Sequence, residues 1–429
     1  MIESMRLERF KNFHDATLRL GPLTAIVGTN ASGKSNLRDA FRFIHGMSRG
    51  YGLAEIIGEK YVEGGVLQWK GIRGGTRETA SFGSKEFTLT TTVQRPNDME
   101  PTGGNGHDIW HATHSITVTF DDVKSGPRVA RERLSDDFGM IFDSHPPDDP
   151  PAQEEPEYLF VRMPRDETNR KHGKRLRFLS SIPIISQFAQ QSNIERYSKP
   201  AGFFLDALRS MQFLDLSPTV MRVPSFPGQV VLGDRGENLS SVLQAICQDT
   251  ETKNAITEWI RELTPMDVVS FEFVPDQTGR VLVSLVDSHG QSVSAYSASD
   301  GTLRFLALIA ALLGPDPARL YFLEEIDNGI HPTRLYLLLQ LIEQRVRGGR
   351  VQIVTTTHSP QLLGMLSAEA REYASLVYCV EGFPYAEIRR VMEIPSVREV
   401  LEKQSLSRLH ESGWLENVMA FTQPEAAES

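Results

Sequence analysis

Cysteine is scarce in this chain: Cys247 and Cys379 are the only two among 429 residues. Neither has a partner at metal-like or redox-like spacing, which argues against a disulfide scaffold or a zinc-finger ligand set; both read as reduced, buried thiols. Long apolar runs are also missing. The richest, Phe305 to Leu313, has the length of a buried helix and falls short of a bilayer span. The start, Met1-Ile2-Glu3-Ser4, has no basic segment ahead of an apolar block, so no secretory signal is read there. A cytoplasmic protein without membrane contact is expected. Positive charge is not in excess: 45 Lys and Arg against 55 Asp and Glu give a net charge of −10. That argues against a wholly basic nucleic-acid binder and leaves room for a local basic groove. No internal repeat and no long heptad run is present. What is present is ample apolar content, 40% of residues, over more than one ordinary domain length.

The N-terminus alternates over Met5–Phe10 and again over Ala16–Leu20, as half-buried strands do. Leu23–Val27 is a short apolar run suited to a buried parallel strand. A helix is predicted from Lys34, with Leu37, Phe41 and Ile44 on one face. Residues 50–77 are glycine-rich and read as loops and short elements. Phe87–Val93, Ser115–Phe120 and Tyr158–Val161 are β-branched and aromatic strand signals. The loop Pro101–Gly106 and the acidic, proline-rich run Ser144–Glu157 separate them. Ile182–Phe213 reads as helix interrupted at Pro183 and Pro200. Asn238–Leu263 reads as a helical region with Val242, Ile246, Ile256 and Ile260 inward, followed by strands at Val268–Phe273 and Val281–Val286. Thr302–Leu313 is apolar on nearly all sides, a buried helix. Leu320–Leu323 and Val351–Val354 are buried strands around a helix that opens at Pro332 and ends at Gly348-Gly349. The tail after Phe421 is polar and expected to fray.

Four motifs carry chemistry. Gly28-Thr29-Asn30-Ala31-Ser32-Gly33-Lys34-Ser35 is a Walker A phosphate loop between a predicted strand and a predicted helix. Its glycines let successive N–H groups converge on an anion at a helix N-terminus. Lys34 is placed to reach the β- and γ-phosphates of ATP, and the Ser35 hydroxyl to hold Mg2+. Leu320–Leu323 then ends in Glu324-Glu325, two carboxylates at the edge of a parallel sheet where ligands bind. Glu324 is assigned to the metal and Glu325 to the attacking water. Thr355–Pro360 places His358 just past a strand, able to bond the γ-phosphate or position the water. Tyr296–Thr302 leads into the buried helix and offers a second anion-binding tip. One nucleotide does not need two such tips, so this one is expected to close on the nucleotide of a second copy; the plain alternative is that Ser299 simply caps its own helix.

Together these motifs resemble the ABC-type ATPase superfamily, in the branch of SMC, RecF and OLD-like proteins. The opening Leu7–Phe13, with its Phe-Lys-Asn-Phe turn, is similar to that branch's first strand. Ser299–Phe305 resembles the signature of its small ATPases, and Glu325–Pro332 the D-loop. The resemblance covers roughly residues 1–46 and 290–365. It implies a P-loop α/β fold: an ABC-ATPase head with inserted β-rich and helical lobes. It also implies that Lys11 and Asn12 lie near the base or ribose, and that Gly28, Asn30, Ala31, Ser32, Gly33, Lys34, Ser35 and Asn36 surround the phosphates. Ser299 and Gly301 would act in trans, Asn328 would belong to the D-loop, and Gln187 would be the metal-binding Q-loop glutamine, with Gln68 as its rival. Two departures stand out: Asp300 occupies the place of a second signature glycine, and Glu324 that of the usual Walker B aspartate.

The expected layout is an N-terminal head segment over 1–80, a β-rich insertion over 81–180, a helical lobe over 181–265 and the rest of the head over 266–429. About seventy residues follow His358, too few for the Toprim nuclease of OLD proteins. The expected protein is therefore a homodimeric or higher-order ATPase serving a separately encoded effector, a nuclease or toxin, in anti-phage defence. A RecF-like repair or chromosome-maintenance ATPase and a nucleotide-gated scaffold with little turnover are the alternatives. Arg162–Arg177 is densely basic, a candidate contact for DNA or RNA. The adjoining acidic run is a rival partner for it.

Overall fold

The computed structural model describes residues 1–81, 83–94, 110–120, 126–144, 157–162, 175–263, 267–358, 360–379 and 384–394. The Pro101–Gly106 loop, residues 145–156 of the acidic run, residues 163–174 of the basic segment and the tail after Phe421 lie outside them. The chain forms two compact units. One comprises Met1–Gly21, Gly28–Ser210 and Ser375–Arg390, the other Pro22–Val27, Met211–Ala374 and Val391–Ser429.

In the first unit the described strands run in the order Arg175–Leu179, Tyr158–Arg162, Gly139–Asp143, Arg128–Asp136, His111–Thr119, Glu86–Gln94, Ile2–Phe10, Phe13–Arg19, Ala386–Arg390, Ser375–Cys379. Neighbours are antiparallel except Phe13–Arg19 with Ala386–Arg390, which are parallel. Strict alternation fixes the register: Phe87, Leu89, Ile116 and Val118 are buried on one face. On the other face Thr88 meets Thr117, Thr90 meets Ser115 and Thr92 meets Thr113 through hydroxyl bonds of 2.8–3.1 Å. A one-residue slip would bury that hydroxyl ladder and expose the apolar set, so the pairing is strongly specified. The helix Lys34–Ser48 lays Leu37, Phe41, Phe43, Ile44 and Met47 into this core. Phe43 meets Phe87 edge-on at 5.4 Å.

The second unit holds a parallel sheet in the order Met211–Leu214, Leu320–Leu323, Gln352–Thr357, Leu23–Val27. Every residue of the last three strands is buried, as a parallel sheet covered on both faces requires. The helix Asp300–Leu313 is buried along most of its length, and Pro332–Val346 turns Leu335, Leu338, Leu339, Ile342 and Val346 inward. A small antiparallel sheet, Val268–Pro275, Val281–Asp287 and Ser292–Ser294, completes the unit.

Three sequence expectations are corrected. Pro200 does not interrupt a helix: Glu195–Arg209 runs through it, with Ala201, Phe204, Leu205 and Leu208 buried. That burial offsets the backbone bond proline cannot donate. Met211–Phe213 is not helical but forms, with Leu214, the edge of the parallel sheet. The thiols are not buried: Cys247 is half-buried and Cys379, at a strand end, is exposed, both free. The stretch 238–263 also divides in two, Leu239–Ile246 and Thr250–Leu263, because Asp249 accepts from Thr252 N at 2.8 Å and caps the second helix.

Candidate functional site

In the first unit the phosphate loop leaves Val27 and winds into the helix at Lys34. Its curl needs left-handed backbone at Ala31 (φ 63°) and Gly33 (φ 116°). A Cβ on Gly28 would stand 2.3 Å from the Val377 carbonyl oxygen, so glycine is required for the loop to lie against that strand. Lys34 Nζ, nearly buried, donates to the carbonyls of Gly28 and Thr29, both at 2.6 Å. The Ser32 hydroxyl is buried and has no hydrogen-bond partner among the described residues. Asn30 and Ala31 are exposed on the loop, while Ser35 and Asn36 are half-buried in the first helical turn. A tight cradle with a buried cation and an orphaned hydroxyl fits the phosphates of a nucleotide.

Asn12 sits behind this loop. Its Nδ2 donates to the Ser32 carbonyl at 3.3 Å, and its Oδ1 accepts from Asn36 Nδ2 at 2.7 Å. Lys11 is inward: Nζ lies 3.2 Å from Asp39, donates to the Arg73 carbonyl, and its side chain is only 7% exposed. Burial pulls the Lys11 ammonium below its ordinary pKa, against the opposing pull of Asp39. Arg73 Nε also reaches Asp39, at 3.2 Å. Asp39 and Arg73 were not singled out from the sequence. The available signal was an acid between Leu37 and Phe41 in an inward-facing stretch of helix.

Gln187 Oε1 accepts from Leu179 N at 3.1 Å, and its Nε2 donates to the carbonyls of Leu179 and Ile182 at 2.9 and 3.0 Å. Its amide thus staples the turn that carries it. The next residue back, Ser186, donates to the Met47 carbonyl at 2.8 Å, tying that turn to the end of the phosphate-loop helix. Gln68 is exposed on the strand Val66–Lys70.

The second unit gathers the other motifs. Glu324 is half-buried, its N–H donating to Leu214 O at 3.0 Å. Glu325 turns out of the strand at φ 47°, a strained conformation for a non-glycine, and its N–H donates to Thr356 Oγ1 at 3.1 Å. His358 Nε2 lies 3.5 Å from Glu325 Oε1, and Asn328 Nδ2 donates to Oε2 at 3.2 Å. His358 and Asn328, from separate sequence motifs, therefore converge on one carboxylate. Ser299 Oγ accepts from Thr302 N at 3.1 Å, capping the helix Asp300–Leu313. A Cβ on Gly301 would stand 2.7 Å from Gly329 O, so the start of that helix lies against the backbone at Gly329.

The profile of the family described as "AAA domain, putative AbiEii toxin, Type IV TA system" matches residues 23–105 and 141–364. The chain belongs to this family. The family match supports an ATPase related to the SMC and RecF kind, on the mixed α/β fold described above. Among curated proteins it is similar to an "ATP/GTP phosphatase" of Helicobacter pylori, 21% identical over 379 residues, 87% of this chain and 89% of that protein. It is also similar to "Chromosome partition protein Smc" of Mycolicibacterium paratuberculosis, 37% identical over 91 residues, 21% of this chain and 7% of that far longer protein. Among solved structures it is similar to an Smc head bound to the C-winged helix domain of ScpA, at TM-score 0.48 and 14% identity, covering 90% of this chain and 97% of that one. Among the described residues no helix is long and apolar enough to cross a membrane.

Proposed function

We propose that this family member binds ATP with Mg2+ in the Gly28–Ser35 cradle and hydrolyses it. Head-to-tail pairing would let Ser299 and Gly301 of one copy close on the phosphates held by the other. The observation that carries the reading is the convergence of His358 and Asn328 on Glu325. An exposed carboxylate held by two polar side chains is suited to accept a proton from water. The Ser35 hydroxyl would hold Mg2+, which supplies charge neutralisation for the phosphoryl oxygens; Glu324 is of the residue type that takes the same role, and Gln187 would do so only by releasing its bonds to Leu179 and Ile182. Lys34 would exchange its two loop carbonyls for phosphate oxygens. Asn12 and Asn36 shape the loop, and Lys11 adds a buried positive charge behind it.

In the cell this ATPase would sit in the cytoplasm and gate a separately encoded toxin or nuclease. The family's own description, which names a toxin of a toxin–antitoxin system, supports a setting in anti-phage defence. The test is ATP-dependent association. Glu325→Gln protein, sized by light scattering with and without Mg-ATP, should double in mass with ATP, and the same protein carrying Lys34→Ala should not. A mass indifferent to ATP would overturn the pairing.

A further inference from the structure

The tip of the helix that begins at Asp300 is held by one arginine far away in sequence. Arg222, the residue after the short helix Pro218–Met221, points its guanidinium into the approach to that tip. Nε donates to the Tyr296 carbonyl at 3.2 Å, and Nη2 donates to the Ala298 carbonyl at 2.8 Å and to Asp300 Oδ1 at 2.7 Å. These acceptors bracket Ser299 on both sides. The arginine side chain is three-quarters buried while its carboxylate partner is 68% exposed, so the anchor lies on the protein side of the loop. Gly301, the next residue, rests on Gly329. The approach, the cap and the first turn are thus fixed by a planar, always-charged fork that a flexible point charge would not reproduce.

Charge adds a second consequence. Asp300 puts a carboxylate in the first turn of the helix, where an incoming phosphate would meet it. Two anions at that tip repel unless one is neutralised. Arg222 lies on the carboxylate and cancels it locally.

We propose that Arg222 is the positioning residue of the Ser299 tip: it sets the geometry of residues 296–300 and neutralises Asp300, so that the tip accepts the phosphate held by a second copy. The inference rests on the head-to-tail reading above. On this reading Arg222 serves the tip and not the cradle of its own copy, so Arg222→Ala should bind a fluorescent ATP analogue with unchanged affinity. Its turnover should fall about 10- to 100-fold, the cost of a misplaced phosphate-binding group.

The deciding experiment mixes variants. Lys34→Ala lacks a working cradle and keeps its tip; Arg222→Ala keeps its cradle and loses its tip. A mixed dimer rebuilds one complete composite site. The mixture should therefore turn over faster than either variant alone, up to about a quarter of wild type for random pairing. Ser299→Arg mixed with Lys34→Ala is the control for trans action. Recovery in the control without recovery in the Arg222→Ala mixture would overturn the role of Arg222 alone. Recovery in neither would overturn the head-to-tail reading, and this inference with it. Within one chain, Asp300→Gly should restore part of the activity lost in Arg222→Ala, because it removes the charge that needs cancelling. A lower melting temperature with no such rescue would mark Arg222 as merely structural.

Discussion

His358 Nε2 stands 3.5 Å from Oε1 of Glu325 while Asn328 holds the other carboxylate oxygen at 3.2 Å. The glutamate thus has a hydrogen bond at one oxygen and an imidazole beside the other without being buried. Replacing it by glutamine keeps the shape, and the bond from Asn328 if the amide oxygen takes that position, but removes the basic oxygen. Glu325→Gln should bind ATP as the wild type does and lose about 100- to 1,000-fold in turnover. Phosphate release in single-turnover conditions measures this; an undiminished rate would remove Glu325 from the chemistry.

Gly28 has no room for a methyl group, with the Val377 carbonyl 2.3 Å and Ser32 Oγ 2.7 Å from where it would sit. Gly28→Ala should push the loop off the strand Ser375–Cys379, costing about 1–3 kcal/mol. Nucleotide affinity should fall with it. Calorimetric titration with ATP, alongside a denaturation curve, checks both; tight binding in this variant would mean the loop has slack the structure does not show.

Glu132 is fully buried and accepts three bonds, from Ile184 N at 2.6 Å, Ile185 N at 2.8 Å and His114 Nε2 at 2.8 Å. It joins the antiparallel sheet to the turn bearing Gln187. Glu132→Ala strips the buried donors of their acceptor and should cost about 3–5 kcal/mol. Urea denaturation measures the loss, and a change under about 1 kcal/mol would show that water replaces the carboxylate.

His45 is buried in the phosphate-loop helix, and burial lowers its pKa to about 4, against the opposing bond from Nδ1 to the Leu208 carbonyl at 3.1 Å. In the unfolded chain the same ring titrates near 6.5. Between these values the unfolded state binds the extra proton, so stability falls as pH drops below about 6.5 and the loss levels off below about 4. At pH 5 the loss from this residue is about 2 kcal/mol. Urea midpoints at pH 7.5 and 5.0 should differ less in His45→Asn than in the wild type. Equal drops would assign the acid sensitivity to other groups.

Local chemistry explains which features were readable beforehand. Gly28–Ser35 was legible because only glycine and small residues allow such a curl, and the spacing is contiguous. The strand end at Leu323 was legible because parallel strands are apolar runs bounded by polar residues; the strand read over Val351–Val354 runs on to Thr357, because the β-branched Thr355–Thr357 are buried in the sheet although polar. Pro200 misled because tertiary burial of Phe204, Leu205 and Leu208 outweighs a local backbone defect. Met211–Phe213 misled because so short a run, two apolar residues around Gln212, has no periodicity that separates strand from helix.

By itself the sequence determined the chemistry of the cradle and the inventory of acidic, serine and histidine groups, since those depend on residue type at short spacing. Only the tertiary structure decided that Lys11 turns inward to Asp39, that Gln187 spends its amide on its own turn, and that Arg222 braces the tip beyond Ser299. These are contacts between segments far apart along the chain. No local pattern encodes them, because which distant groups meet is set by how the strands and helices pack.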